Sequence, residues 1–490
     1  MRTRQRVLAK RWPWPLPGLV ACLCAWAVCF AGAAASRPLN VVFMVADDLN
    51  MALGCYGHPV VKTPHLDRLA ARGVLFERAY CQYPLCQPSR ASFMSGLRPE
   101  TTRVWTLETP TRQFIGDAVM LPELFRKNGW FSAHAGKVYH TGEACEDPRS
   151  WDEELREFGK TPPQSEVLLG GRSQGPKGHS FDWMILKTAD ADTPDGIVAR
   201  KSVEWMERCA REGKPFFLGV GFRRPHAPYA APKKYFDLYP PEKMPLPKTA
   251  PDEFQRLLPA AINHEPPDTP LTDAEVRRYR SAYFACVTFM DAQVGVVLDA
   301  LDRLRLWDHT IVVFFSDNGY HLGEHGGLWH KTTLFEESAR VPLIVAAPGR
   351  RAVGKRSPRL VELVDLYPTL AELCGLRPPD NLEGTSFAPL LDDPKRPWKP
   401  GAFTMQGRGP ERTEAAREIV FTGTSVRTER WRYTEWDEGR QGLELYDERR
   451  DPREVNNLAQ SARYAKTRAE LQRLLRGGWR AALPDQKSIR

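Results

Sequence analysis

The chain has 490 residues, 42% of them apolar, with 69 Lys and Arg against 60 Asp and Glu for a net charge of +9. Five of those bases (Arg2, Arg4, Arg6, Lys10 and Arg11) fall in a first segment of 35 residues without an acid, and removing them from +9 leaves +4. A chain of this size and balance buries a large core, suits an acidic substrate mildly, and carries no nucleic-acid footprint.

The basic stretch runs into an apolar segment from Leu16 to Ala35 that ends in Ala33-Ala34-Ala35. This is the pattern of an export signal over residues 1–35, with a retained membrane anchor as the competing reading. After cleavage no stable span is expected, because no later run reads as long and apolar enough to cross a bilayer. No Asn-x-Ser/Thr triplet occurs, so a lysosomal enzyme sorted through N-glycans is not expected; a periplasmic or secreted, bacterial-type protein is. Of ten cysteines three lie in the leader, and the other seven (Cys55, Cys81, Cys86, Cys145, Cys209, Cys286 and Cys374) are scattered without a Cys-x-x-Cys pair.

Leu39 to Ala46 is a nearly unbroken apolar run, as in a strand buried on both faces of a parallel sheet. It ends in Asp47-Asp48, two acids that are costly at such an edge unless paired or bound to a cation. Thr63-Pro64 opens a helix that stops at Gly73. Cys86-Gln87-Pro88-Ser89-Arg90 opens another, with Pro88 in its first turn and the Cys facing unpaired backbone N–H groups. Leu121 to Asn128 reads as a helix and Phe131 to Ala135 as a strand, which delivers Gly136-Lys137-Val138-Tyr139-His140. Residues 144–190 give no clear element and read as a long insertion over the sheet.

Asp195 to Arg211 is periodic and helical, and Pro215 to Phe222 is a second buried strand that emerges as Arg223-Arg224-Pro225-His226-Ala227-Pro228. Residues 230–270 are Pro-rich and irregular. Asp273 to Leu306 is one long amphipathic helix, followed by the buried strand Thr310 to Phe315, which ends in Ser316-Asp317-Asn318-Gly319. Gly323-Glu324-His325-Gly326 and Trp329-His330-Lys331 come next, then a strand at Val341 to Ala346 and a helix over Val361 to Leu370. The polar, Gly-rich residues 400–415 read as a linker. Strands of an antiparallel sheet follow at Ser425 to Thr428 and Trp431 to Trp436, and a last helix runs from Ala459 to Arg476.

Asp47, Asp48, Asp317 and Asn318 supply oxygen donors from two strand ends with no Cys or His among them, a set for a hard cation, Ca2+ before Mg2+. Cys86-Gln87-Pro88-Ser89-Arg90 with Gly96 close behind resembles the signature of the type I sulfatases, and the resemblance covers nearly the whole chain after the leader, closest to the iduronate-2-sulfatase branch.

The resemblance implies an alkaline-phosphatase-like α/β fold, a mixed sheet sandwiched by helices, over residues 36–400, and a smaller C-terminal α+β subdomain with an antiparallel sheet over 401–490. It implies that Cys86 is converted by formylglycine-generating machinery to formylglycine, whose oxygen completes the cation's shell. Arg90, Lys137 and Lys331 would then clamp sulfate, His226 with Lys331 would protonate the leaving alcohol, and His140 would help regenerate the aldehyde. The substrate it implies is a sulfated carbohydrate. The chain departs from the iduronate branch at Asn318, at Tyr320 and by one extra residue before Lys331. Two other readings stand beside this one: a phosphoester or phosphonate hydrolase of the same superfamily, and a non-catalytic sulfated-polysaccharide-binding protein.

Overall fold

The computed structural model describes residues 37–156, 163–171, 182–262, 271–410 and 417–484, so the expected export signal lies outside the described residues. From Leu39 onward the chain forms one compact unit. The strands in chain order are β1 (Asn40–Asp47), β2 (Val74–Tyr80), β3 (Phe131–Gly136), β4 (Glu153–Leu155), β5 (Val167–Gly171), β6 (Trp183–Leu186), β7 (Phe216–Pro225), β8 (Tyr229–Pro232) and β9 (Thr310–Ser316). They continue with β10 (His321–Leu322), β11 (Trp329–His330), β12 (Arg340–Ala346), β13 (Lys355–Glu362), β14 (Ala402–Arg408), β15 (Phe421–Arg427), β16 (Trp431–Trp436) and β17 (Gly442–Asp447).

The main sheet has eight strands in the order β13-β2-β12-β9-β1-β7-β3-β4. Only β12 runs against the rest. The carboxyl ends of β1, β2, β3, β7, β9 and β13 therefore share one edge, where open α/β sheets bind their ligands. Every residue of β1 is buried. Val42, Met44 and Ala46 pack on one side with Tyr283, Val287 and Met290 of helix Asp273–Arg303. Val41, Phe43 and Val45 pack on the other with Phe93, Phe125 and Leu366. Each such side chain withdrawn from water contributes about 1.5–3 kcal/mol, which explains why the strand reads as an unbroken apolar run. The expected mixed sheet between two helical layers is what forms.

Helix Asp273–Arg303 starts at a capping box in which Thr272 Oγ1 accepts from Glu275 N at 3.3 Å and Glu275 Oε2 accepts from Thr272 N at 2.8 Å. By length and composition it is apolar enough to cross a bilayer, contrary to the expectation that no run after the leader would be; its most apolar window is 83% buried inside the protein, so it is a core helix.

Three further expectations are corrected. The supposed linker at 400–415 contains β14, which pairs along its whole length with β15, while residues 411–416 lie outside the described residues. The insertion at 144–190 supplies β4 to the main sheet's edge and β5 and β6 to a small sheet with β8. The helix expected over Val361 to Leu370 starts only at Leu366, because β13 runs to Glu362, whose N–H donates to Asp365 Oδ2 at 2.9 Å and turns the chain. Strand β2 is among those not anticipated, because Glu77 and Arg78 interrupt its apolar pattern; β8, β10, β11 and β13 are others. The seven cysteines from Cys55 to Cys374 are all free.

The four-stranded antiparallel sheet β14-β15-β16-β17 is tied to the main sheet through Glu362, which is 1% exposed. Its carboxylate accepts from Arg98 Nη1 and Nη2 at 2.8 Å each, from Lys399 Nζ at 2.5 Å and from Phe403 N of β14 at 2.9 Å. Burial opposes the charge, but Arg98 and Lys399 outweigh it and hold Glu362 down at about 2 against an ordinary 4.5. A depressed folded pKa stabilises the fold above the unfolded value, and that stability is lost as pH falls from about 4.5 towards 2. Glu362→Gln should cost about 3–5 kcal/mol in denaturant unfolding near neutral pH, because Arg98 and Lys399 stay buried without their counter-charge. It should also flatten the acid limb of the stability curve; an unchanged midpoint at both pH values would show that the network contributes nothing.

Candidate active site

Asp47 closes β1, and Asp48 follows with φ of +62°, a left-handed conformation that Asp tolerates better than most residues. The turn is held by Asp48 N donating to Asp317 Oδ1 at 3.2 Å, Leu49 N to Ser316 Oγ at 2.9 Å and Tyr283 Oη to Asp48 O at 2.7 Å. Asp317 and Asn318 leave β9 beside it, and Lys137 leaves β3. Cys86 is the first residue of helix Cys86–Ser95. Lys331 follows the β10–β11 hairpin, in a loop where His330 and Thr332 have φ of +64° and +68°. Thr332 N donates to Pro84 O at 3.0 Å, which fixes the Lys331 loop against the segment leading to Cys86.

These pieces meet without exposure to solvent. Cys86 Sγ lies 3.3 Å from Asp47 Oδ1, 3.9 Å from Asp48 Oδ1 and 3.2 Å from Lys331 Nζ. Lys331 Nζ donates to both oxygens of Asp48 at 2.6 and 2.7 Å, and Lys137 Nζ to Asp47 Oδ2 at 2.5 Å. Arg90 Nε donates to Asp317 Oδ2 at 3.0 Å, Nη2 to Asp47 Oδ1 at 3.1 Å and Nη1 to the carbonyls of Lys137 and Val138. Arg90 is thus engaged on two carboxylates and two carbonyls and holds the strand ends together. Ser89 Oγ adds a 2.5 Å bond to Asp317 O.

His226 sits with Nε2 3.7 Å from Asp48 Oδ2 and Nδ1 2.5 Å from Ala227 O. The carbonyl can only accept, so Nδ1 carries the proton and the neutral ring keeps its lone pair on Nε2. His140 is buried on the loop after β3, three residues past Lys137. Burial works against charge on Asp47, yet Lys137, Arg90 and Lys331 outweigh it and hold that carboxyl well below the usual range. At Asp317 burial wins over Arg90 and raises the carboxyl. Burial, then Asp47, pushes the Cys86 thiol well above its ordinary value.

The donor set fits a hard divalent cation. Asp47, Asp48 and Asp317 each place a carboxylate oxygen within 4.8 Å of the others, and Asn318 Oδ1 is a buried acceptor without a hydrogen-bond partner. Asn318 Nδ2 meanwhile donates to Asp48 Oδ1 at 2.9 Å and to Gly319 O at 2.9 Å, so its oxygen end is left for another ligand.

One residue of the site was not singled out from sequence. Arg223, at the end of β7, is 2% exposed, and burial draws its guanidinium down to about 10 while Asp47, Cys86 and Asp48 act in the opposite sense. Its backbone N–H and that of Arg224 donate to Asp195 at 2.9 and 3.0 Å. The available signal was a pair of arginines directly after a wholly buried apolar strand. Arg224 itself turns back to the loop, donating to His226 O and Pro228 O at 2.7 Å each.

Residues 39–376 match the family model described as Sulfatase, and residues 323–478 match that of N-sulphoglucosamine sulphohydrolase, C-terminal. The chain is 33% identical over 472 residues to iduronate 2-sulfatase of Homo sapiens, covering 81% of this chain and 85% of that one. Among solved structures it resembles the phosphonate monoester hydrolase of Agrobacterium radiobacter, with a TM-score of 0.76, 25% identity and 90% and 96% of the two chains covered. A 2-O GAG sulfatase matches with a TM-score of 0.70, 25% identity and coverage of 92% and 95%. Sequence, fold and the strand-end constellation agree: the chain belongs to the sulfatase family, enzymes that hydrolyse sulfate esters.

Proposed function

We propose that this sulfatase removes sulfate from an anionic sugar, a uronate 2-sulfate first among them, through a formylglycine made from Cys86 and a bound Ca2+. The observation that carries the reading is Cys86 at a helix start, 3.2 Å from Lys331 Nζ and facing the strand-end carboxylates. A thiol raised by burial is a poor nucleophile, and its attack on sulfur would leave an S-sulfonate with no internal route to release. A hydrated aldehyde at this position would supply one hydroxyl for attack on sulfur and a second to expel sulfate. When bound, the cation would neutralise the ester and favour the ionised hydroxyl. All-oxygen ligands favour Ca2+ over Mg2+, which keeps its waters.

The side chains then divide the work. Lys331 Nζ stabilises negative charge that develops at position 86. His226 Nε2 takes up the proton released by the attacking hydroxyl and, with Lys331, returns one to the leaving alcohol. Lys137 orients Asp47, Arg90 spans Asp47 and Asp317, and His140 assists the second hydroxyl. Asp47, Asp48 and Asp317 are matched in number by Arg90, Lys137 and Lys331, so a bound cation would leave an excess of positive charge. A substrate with a carboxylate beside its sulfate suits that excess, and the human relative is named for such a substrate. The likeness to a phosphonate monoester hydrolase keeps phosphorus esters as the second reading. The basic-then-apolar N-terminus and the lack of an Asn-x-Ser/Thr triplet support a periplasmic or secreted, non-lysosomal enzyme.

Three measurements test this. Protein recovered from periplasm or medium should carry an aldehyde at position 86, detected by peptide mass spectrometry and hydrazide trapping; full activity from wholly unmodified thiol would overturn the mechanism. Asp317→Ala should lose its stoichiometric Ca2+ by elemental analysis and at least about 100-fold in kcat, with a cooperative unfolding transition retained. On a panel of sulfated sugars and paired aryl sulfates, phosphates and phosphonates, uronate 2-sulfates should react fastest. Turnover of neutral sugar sulfates alone would remove the uronate assignment, and faster phosphonate turnover would favour the second reading.

A further inference from the structure

A second set of ligating groups stands outside the strand-end site. His134, Glu146 and Glu154 each offer one atom, all mutually within 4.8 Å. Three segments bring them together. His134 lies within β3, Glu154 is its register partner on β4, and Glu146 lies on the turn between those strands. That turn is braced independently: Arg112 donates to both oxygens of Asp147 at 2.8 Å, and Thr111 Oγ1 to Cys145 O at 2.6 Å.

The polar atoms of this set are not used up by hydrogen bonds. His134 is wholly buried, its ring tilted on Trp151 at 4.7 Å between centroids, and neither ring nitrogen has a hydrogen-bond partner. Glu146 Oε2 is buried and likewise lacks one. Arg156 occupies Oε1 of Glu154 through bonds of 2.9 and 2.8 Å, which leaves Oε2 for another partner. His134 Nε2 faces both remaining oxygens, Glu146 Oε2 at 3.8 Å and Glu154 Oε2 at 3.7 Å. Those separations are too long for hydrogen bonds. They lie near the spacing of two ligands on one tetrahedral ion, about 3.3–3.6 Å for metal–ligand bonds of about 2.0–2.2 Å.

Burying a histidine whose ring nitrogens make no hydrogen bond beside the buried oxygen of Glu146 is costly, and a shared dication offsets that cost. One imidazole and two carboxylates suit a borderline cation better than the all-oxygen set at Asp47, Asp48 and Asp317 does. We propose that His134, Glu146 and Glu154 form a second divalent-cation site, of the zinc class, which fastens the 142–150 turn to β3 and β4. Glu154, with its side chain one-third exposed, marks the side where a water completes the tetrahedron. The ion sits three residues upstream of Lys137, so it stiffens the strand end that presents that lysine without touching substrate.

The test uses the full mature chain, stripped with chelator and returned to saturating Ca2+ so that the strand-end site is filled with its own ion. Zn2+ added with a competing chromophoric chelator should bind at one equivalent per chain, and Co2+ in its place should give the intense visible bands of tetrahedral N/O ligation. His134→Gln should abolish this binding. Glu146→Gln and Glu154→Gln, which leave the buried ring in place and keep the test valid if the His134 variant does not fold, should each weaken it at least about tenfold. His325→Gln, at the separate His321, His325 and Glu337 cluster, should leave it unchanged. The proposal is overturned if the folded wild-type chain takes up no zinc, if the Glu146 and Glu154 variants bind as wild type does, or if His325→Gln alone removes the ion. A titrating imidazolium held between the two carboxylates, with no metal uptake, is the first of those results.

Discussion

Three carboxylates at the carboxyl edge of one sheet cannot stay ionised together in a buried site unless something stands between them. In this molecule Arg90 stands between two of them, its guanidinium reaching Asp317 with Nε and Asp47 with Nη2 while Nη1 takes two carbonyls just past the end of β3, and Lys331 holds the third, Asp48. One side chain on helix Cys86–Ser95 thereby connects the ends of β1, β9 and β3, and the same helix carries Cys86 at its first residue. The position of Cys86 and the spacing of Asp47 and Asp317 follow from that one contact set. Arg suits this task because a rigid fork of five donors serves several acceptors at fixed angles, which an ammonium cannot.

The sheet's topology is what makes the contact possible. With only β12 reversed, strands far apart in sequence finish at the same edge, and Lys331 can meet Asp48 across 283 residues of chain. The two faces of β1 are filled by different helices, so the strand has no freedom to slide in register, and a slip of one residue would exchange its two apolar faces. Asp47 and Asp48 are held at the edge by that packing as much as by their own bonds.

Much of this was legible in the sequence, for a definable reason. Residues with chemistry at the ends of unbroken apolar runs announce themselves: Asp47 and Asp48 after β1, Asp317 and Asn318 after β9, His226 after β7. A short polar motif at a helix start did the same for Cys86. What the sequence concealed is pairwise. Nothing local to Arg90 reveals that it is engaged on Asp317, 227 residues away. Strand β2 was hidden by Glu77 and Arg78, and β14 by its resemblance to a polar linker, although every residue of β14 is buried once β15 lies alongside. His134 looked like an unremarkable strand residue until Glu146 and Glu154 were folded against it.

The two family models overlap over residues 323–376, a stretch that contains Lys331 and all of β12 and β13. The physical connections cross the same stretch: Arg408 of β14 donates to Thr332 O at 2.8 Å and to Ala260 O at 2.8 Å, bracing the loop of Lys331 from the C-terminal sheet. A recombination that exchanged the C-terminal segments of two relatives at β14 would therefore also exchange the support of the partner's lysine. Diversification of such enzymes by swapping their tails is constrained to pairs whose β14 offers an equivalent arginine, whereas loops that border the cleft without touching this brace are free to vary.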